Sequence, residues 1–347
     1  MKLAMYSLRG PSSFRNQADL IARVAVQEGY ECFNKDMADR VKFPKDHFDR
    51  TIVLCPIWPR YVMDSARLSA PWISRSFTLY GPVDGPLTQN LNLMQILTNM
   101  GVVVPSQFCY DSLVKSGVTP KGIVKHGVDP EDFIFEDVPK YSRYQQLKAK
   151  YPGRQIMFTN INPLHRKGLK HLAAALNILS AKRPDTWIFI LHTGREKALQ
   201  IAPDLEQVKD LVIEDAYGQL PFREMALKTK SCDLFVWPSM LEGFGLPLLE
   251  AAAAERAIVC LDAPAMNEIV DSSMAWLFPS TGIKVEKWDA PSCLAQLHEY
   301  DPAALAEAIM QALDHPKESV EKAARAFKRS KKYNYQDVYK PLVRGAV

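Results

Sequence analysis

Two glutamates, Glu242 and Glu250, flank a tight glycine-containing turn in LEGFGLPLLEAAAA (Leu241 to Ala254), with Gly243, Phe244, Gly245 and Pro247 between them. Glycines lack a Cβ, so their backbone N–H groups can come close to a ligand. Pro247 suits the first turn of a helix, where its missing N–H costs nothing. The start of that helix favours negative charge, so the turn suits a phosphate or pyrophosphate. The spacing places Glu250 in the first helical turn, where a carboxylate aimed at the anion would repel it. It is useful there if it reaches sideways and accepts hydrogen bonds from a diol such as a ribose. Glu242, on the loop, would accept from the hydroxyls of a second sugar. Two carboxylates beside a phosphate cradle are what a nucleotide-sugar needs. The same spacing also describes an ordinary glycine turn before a helix with an acidic first turn, and a lone GxG does not choose between them. Arg166 and Lys167, in HRKGLK, open another helical stretch. Cations are mildly unfavourable at a helix start, which favours an anion-binding role over a solvated pair.

These residues need strands that end at one edge and helices that begin there. DLFVWPS reads as a strand before the Leu246–Glu255 helix, and QIMFT as the strand before Lys167. Apolar runs LAMYS, TIVLCPIW, SFTLY and GVVVP alternate with helical patterns such as RNQADLIARVAVQEG and FCYDSLVKSG. After a polar stretch the alternation restarts with QIMFT, WIFILHTG, LVIED, DLFVWPS and AIVCLD. In GLKHLAAALNILS, Leu169, Leu172, Ala173, Leu176 and Leu179 keep helical spacing. Near-continuous apolar strands between helices predict parallel sheets covered on both faces, and the restart predicts two of them. The junction falls around residues 129–154, rich in charge and tyrosine and carrying Pro139 and Pro152. A length of 347 residues is comfortable for two domains.

With the strands in place, the Glu-to-Glu block resembles the E-x7-E signature of retaining glycosyltransferases of family 4, which have the GT-B fold of two Rossmann-like domains facing across a cleft. The resemblance runs through Ser231 to Val270. HRKGLKHLAAAL resembles the family's phosphate-lysine segment, LHTG its glycine-ended strand, and VVVPSQF with KHGVDPEDF the end of its first domain. It implies an α/β GT-B architecture with an acceptor domain over 1–135, a nucleotide-sugar donor domain over 136–316, and a basic helix over 317–347 packing back on the first domain. It also implies transfer of a hexose from a UDP- or GDP-sugar to a hydroxyl of a sugar, glycolipid or glycoprotein, with retention and without metal. Glu250 would hold the ribose. Glu242, with the backbone of Gly243, Phe244 and Gly245, would hold the transferred sugar, and N–H groups near Leu246 would meet the diphosphate. Lys167, helped by Arg166, would neutralise charge on the leaving phosphate. Gly194 and Tyr217, with Gly218 beside it, fall on the donor side. Domain closure would exclude water from the reaction.

The chain departs from that pattern in several places. Ile161 and Asn162 stand where the family usually has an arginine, so Arg166 would replace it from another angle. Where the family places a histidine, TLYGPVDGPL offers Tyr80 and Asp84, which would line the site or simply mark a turn. LRGPSS stands at the family's glycine-rich loop, with Gly10 carried over and Arg9 a candidate acceptor contact. His126, in KHGVD, reads either as a cleft residue or as a structural histidine. The non-catalytic alternative is a nucleotide- or sugar-binding protein that kept the fold. The catalytic alternative is another GT-B enzyme, such as an epimerase or phosphorylase.

The remaining totals narrow the class. D-x-D, HExxH, CxxC and GxSxG are all absent, so neither a metal-dependent transferase nor a nucleophile elbow is expected. The six cysteines are scattered singly, which points to small core residues and a cytoplasmic location. The formal charge is +4, and residues 317–332 alone carry seven basic and two acidic side chains. The rest of the chain is therefore near neutral, against a dedicated nucleic-acid binder. The basic segment reads as a solvated helix face, with contact to an anionic membrane as the second reading.

Overall fold

The structure, a computed structural model, describes residues 1–8, 13–37, 47–70, 74–88, 91–135, 143–215, 218–288 and 293–347. Arg9, Gly10 and Tyr217 lie outside the described residues. The chain forms two compact units.

The first unit comprises Met1–Asp129, Val285–Gln296 and Tyr333–Val347. Its strands are β1 (Lys2–Ser7), β2 (Glu31–Asp36), β3 (Arg50–Leu54), β4 (Phe77–Tyr80), β5 (Val102–Val104) and β6 (Gly122–Ile123). They form one parallel sheet in the order β2-β1-β3-β4-β5-β6. Helices α1 (Ser13–Gln27), α2 (Pro59–Leu68), α3 (Leu91–Met100) and α4 (Gln107–Lys115) connect them. Every residue of β3 is buried, as a strand covered on both faces requires.

The second unit comprises Pro130–Lys284 and Leu297–Lys332. Its strands are β7 (Gln155–Asn160), β8 (Trp187–His192), β9 (Leu211–Glu214), β10 (Leu234–Trp237), β11 (Ala257–Asp262) and β12 (Trp276–Pro279). They too are all parallel, in the order β12-β11-β10-β7-β8-β9. The helices are α5 (Arg143–Lys150), α6 (Leu169–Lys182), α7 (Arg195–Ile201), α8 (Phe222–Lys230), α9 (Leu246–Ala253), α10 (Pro302–Asp314) and α11 (Pro316–Ser330). Leu169, Leu172, Ala173, Leu176 and Leu179 of α6 are buried, the face their spacing predicts. Helix α9 is apolar nearly all round because it lies between β11 and α11.

Some elements carry no apolar pattern. Strand β2, ECFNKD, is a half-buried edge strand. A two-stranded ribbon, β13 (Gly282–Trp288) with β14 (Cys293–Glu299), was also not expected. Its residues 285–296 group with the first unit, where Leu294 N–H donates to the Pro86 carbonyl at 2.7 Å. The first boundary falls after Asp129 rather than at 135. The basic segment is likewise corrected: α11 packs on α9 and β11 of the second unit. It buries Ser319, Lys322, Ala323, Ala326 and Ser330 there. Only helix α12 (Tyr335–Arg344) and its flanks rejoin the first unit. Its Tyr335, Tyr339, Leu342 and Val343 enter the core beside α1.

Candidate functional site

In the second unit β7 lies between β10 and β8, so the chain leaves β7 on one side of the sheet's midline and returns to the other. The carboxyl ends at such a switch point are where open parallel sheets bind ligands. The segments leaving β7 and β10 carry the charged residues singled out above. After β7 a short 3-10 turn, His165–Lys167, leads through Gly168 into α6. After β10 a loop over Pro238–Gly245 leads into α9.

The two loops are bound together. Met240 N–H donates to the Arg166 carbonyl at 2.8 Å, and the Arg166 guanidinium donates to the Leu241 carbonyl at 2.8 Å. Ser239 Oγ–H reaches the Leu241 carbonyl at 3.1 Å. Tyr300, fully enclosed, donates its hydroxyl to the Pro238 carbonyl at 2.6 Å. Gly168 makes the approach possible. Its φ is +74°, and a Cβ there would lie 2.0 Å from the Pro238 carbonyl oxygen. No side chain fits that position.

This approach seats Lys167 Nζ 2.5 Å from Glu242 Oε1, with Arg166 3.9 Å from Glu242 Oε2. Lys167 and Glu242 are 9% and 7% exposed. Burial works against ionisation of Glu242. The charges of Lys167 and Arg166, with hydrogen bonds from Lys167 and Ser239, outweigh it and hold the carboxyl below its usual range. The ammonium of Lys167 also stands 5.0 Å from the ring centre of Trp237, the last residue of β10. Glu242 is thus shared between an ammonium and a guanidinium.

Helix α9 begins at Leu246, with Pro247 in its first turn and Gly245 at its cap in the left-handed region, φ +101°. That backbone angle favours glycine. Gly243 and Phe244 complete the loop and are buried. Glu250 falls one turn further in than its spacing implied, since the first turn holds no acidic residue. Burial pushes its carboxyl up to about 7, and the Asp132 charge adds to the shift. Its charge state is therefore set near neutral pH, unlike that of Glu242. Gly194 caps α7 at the carboxyl end of β8, and a Cβ added there would meet only Pro163 at 3.6 Å.

The first unit holds Tyr80, Asp84 and His126. Tyr80 is fully enclosed; its hydroxyl donates to the Val124 carbonyl at 2.9 Å and sits 2.8 Å from His126 Nδ1. Burial pushes the His126 imidazole down to about 3. Gln17 and Tyr339 complete this cluster, bonded to one another and to Gly127. Tyr80 and His126 are thus interior framework residues without the surface an acceptor contact needs. Asp84 is buried in the turn after β4, where its carbonyl accepts from Gln296 N–H at 3.4 Å. Sequence reading missed Trp237 and Tyr300. The former sat inside an apolar strand, and the latter is distant in the chain, so neither carried a chemical signal.

Among the described residues, no group of three His, Cys, Asp or Glu side chains could hold a metal ion. No helix among them is long and apolar enough to cross a membrane.

Comparison with known proteins bears on this arrangement. Residues 154–315 match the family model of glycosyl transferases group 1. A phosphatidyl-myo-inositol mannosyltransferase of Mycolicibacterium smegmatis is 32% identical over 149 residues, a match covering 42% of this chain and 36% of that protein. This chain therefore aligns with little more than a third of that relative's length. Among solved structures, Anabaena HepE in complex with UDP and glucose superposes with a TM-score of 0.72 at 14% identity, covering 100% of this chain and 99% of that one. Sucrose-phosphate synthase from Thermosynechococcus elongatus gives 0.73 at 14% identity, covering 100% and 98%. At such identities the likeness is one of fold, and the fold is that of the GT-B glycosyltransferases. The sequence likeness to group 1 glycosyl transferases therefore lies over residues 154–315, and the likeness of fold runs over the whole chain.

Proposed function

We propose that this chain is a GT-B glycosyltransferase that moves a hexose from a nucleoside-diphosphate sugar to a hydroxyl acceptor, with retention of configuration and without metal. The observation that carries the reading is the buried Lys167–Glu242 pair with Arg166 beside it, held where β7 and β10 end. An ammonium and a guanidinium held together at the strand ends suit a diphosphate. In this reading Lys167 takes the charge that grows on the leaving phosphate, and a preorganised ammonium in a dry site is worth more than in water. Glu242, released from Lys167, accepts from the sugar's hydroxyls, and Glu250 accepts from the ribose. The UDP- and UDP-sugar complexes of structural neighbours support a nucleotide donor.

The bond changes balance without an enzymic nucleophile. The acceptor oxygen forms its bond to the anomeric carbon on the face from which the diphosphate oxygen departs. The acceptor's proton passes to that oxygen, so the leaving group serves as base.

The test is a thermal-shift screen of UDP, GDP, ADP, their common sugar conjugates and NAD without added metal, followed by product analysis with and without hydroxyl acceptors. A ligand at about 100 times its dissociation constant stabilises by about 2.7 kcal/mol. A shift with one nucleoside diphosphate and an acceptor-dependent glycoside of retained configuration is expected. Nucleotide binding without turnover of any donor would leave a binding protein, and a shift with NAD alone would remove the donor site. Release of free sugar or of an epimer without acceptor would point to another GT-B enzyme.

The acceptor proposal extends to a membrane. On α11 and the turn after it, Lys317, Val320, Lys328, Lys331 and Lys332 are exposed, Val320 by 70%. A basic face with an apolar residue suits anionic lipid. Flotation with vesicles of phosphatidylserine and phosphatidylcholine, but not phosphatidylcholine alone, is the expected result; equal flotation with both, or none, removes it.

A further inference from the structure

Trp237 takes no part in the scheme above, yet it touches the centre of the site. It closes β10, is 1% exposed, and faces the Lys167 ammonium at 5.0 Å. The contact is built from both sides. Gly168 lies so close to Pro238, the residue after Trp237, that only glycine fits, and the Tyr300 hydroxyl holds the same Pro238 carbonyl. The backbone following Lys167 is thereby pressed against the backbone following Trp237.

The indole is an expensive choice for this position. Its Nε1–H is buried and meets no hydrogen-bond partner among the described residues. A phenylalanine would avoid that unmet group, and apolar neighbours alone would accept one. What indole adds is the strongest aromatic face for a cation. Residues that break a local rule while touching a functional group tend to be kept for that group.

We propose that Trp237 is a positioning residue whose ring face holds the Lys167 ammonium in place while Lys167 passes from Glu242 to the diphosphate of the donor. This rests on the donor-site reading. The ammonium has a carboxylate partner, Glu242, at 2.5 Å. When a diphosphate arrives and the carboxylate contact is exchanged, the ring face remains in contact with the ammonium. It thereby keeps a long, flexible side chain aimed at the phosphate and limits the entropy lost on binding.

The test compares wild type, Trp237→Phe and Trp237→Leu for binding of UDP and uridine, and of GDP and guanosine, by calorimetry or ligand-observed NMR. Phenylalanine keeps an aromatic face and leucine keeps only apolar bulk. The expected result is that Trp237→Leu weakens the diphosphate about tenfold, Trp237→Phe less than threefold, and neither changes affinity for the matching nucleoside. A purely structural role would weaken nucleoside and diphosphate together, or would affect both variants equally, and either outcome overturns the proposal. So does a Trp237→Leu protein that binds the diphosphate like wild type. If the wild type binds neither diphosphate, the donor-site reading itself falls and takes this one with it. The wild-type arm reports on the former and the ratio between variants on the latter.

Discussion

Each unit gathers an aromatic residue and ionisable groups where a central strand ends, and the two clusters have opposite electrical states. In the first unit Tyr80 closes β4 and meets His126 and Tyr339, and Tyr339 in turn bonds Gln17. In the second Trp237 closes β10 and meets Lys167, with Glu242 and Arg166 beyond it. Depth is similar: His126 is 3% exposed and Glu242 7%. Burial alone drives His126 down to about 3, so it stays neutral at any working pH. Glu242 suffers the same penalty but stays ionised, because Lys167 lies at hydrogen-bond distance. Counter-charge, rather than depth, separates a sealed structural cluster from one that keeps charge available for a ligand. The first cluster satisfies itself with hydroxyls, an amide and backbone groups. The second is held by charged side chains, with Lys167 and Arg166 around Glu242.

The sharpest way to break this contrast is to remove the counter-charge. Lys167→Ala should lower donor turnover by about 10²–10³-fold or more and cost about 3 kcal/mol in denaturant unfolding, since Glu242 is left buried without its nearest counter-charge. Adding Glu242→Gln should restore most of the stability and none of the turnover. A double variant as unstable as the single one would refute the counter-charge argument.

Gly168→Ala should come next. Its φ and the 2.0 Å approach to Pro238 force the two loops apart. Turnover should fall at least tenfold through loss of nucleotide affinity, measured by titration, and the melting temperature should drop. Unchanged affinity would mean that the loops do not need their close contact to build the site.

The sealed cluster gives a smaller effect of another kind. Tyr80→Phe removes the hydroxyl that bonds the Val124 carbonyl and His126 Nδ1, at about 1–3 kcal/mol of stability. Nucleotide affinity should not move. A variant of normal stability but poor acceptor turnover would return Tyr80 to the acceptor side.

An effect of a different kind is a pH dependence at Glu250. Its folded-state carboxyl, at about 7, lies above its ordinary value of 4.5. The folded protein therefore holds that proton more tightly than the unfolded chain. The associated stability is complete below about 4.5 and is lost as pH rises through about 7. Melting curves between pH 5 and 8 should show this slope in wild type, and Glu250→Gln should lack it. If the carboxylate accepts from the ribose, wild-type nucleotide affinity should rise over the same interval, and in Glu250→Gln it should stay flat.

How far this was legible differs between the two units. The second unit's strands and helices follow from apolar runs and helical spacing, because each is buried on at least one face. Its loop chemistry follows from short local patterns: two glycines, a proline and charged residues within a few positions. The first unit offered Tyr80, Asp84 and His126 in turn-like sequence, and nothing local told that the two rings point inward. That depends on Tyr339 and Gln17, distant along the chain. Strand β2 was illegible because an edge strand need not be apolar. The basic segment was assigned to the wrong unit because charge on one helix face does not say what the other face meets.

The sequence by itself determined the two parallel sheets, the glycine turn before α9, and the presence of Lys167, Glu242 and Glu250 near strand ends. These rest on spacing within single elements, where neighbours in the chain are neighbours in space. Only the tertiary structure decided that Lys167 meets Glu242, that Arg166 binds the Leu241 carbonyl, and that Trp237 lies under the ammonium. It alone decided that Tyr80 and His126 are sealed. Each of these depends on two segments brought together by the order of strands in a sheet, and on the close approach that a glycine permits. Strand order and interior electrostatics arise from the whole fold, so no local stretch of residues encodes them.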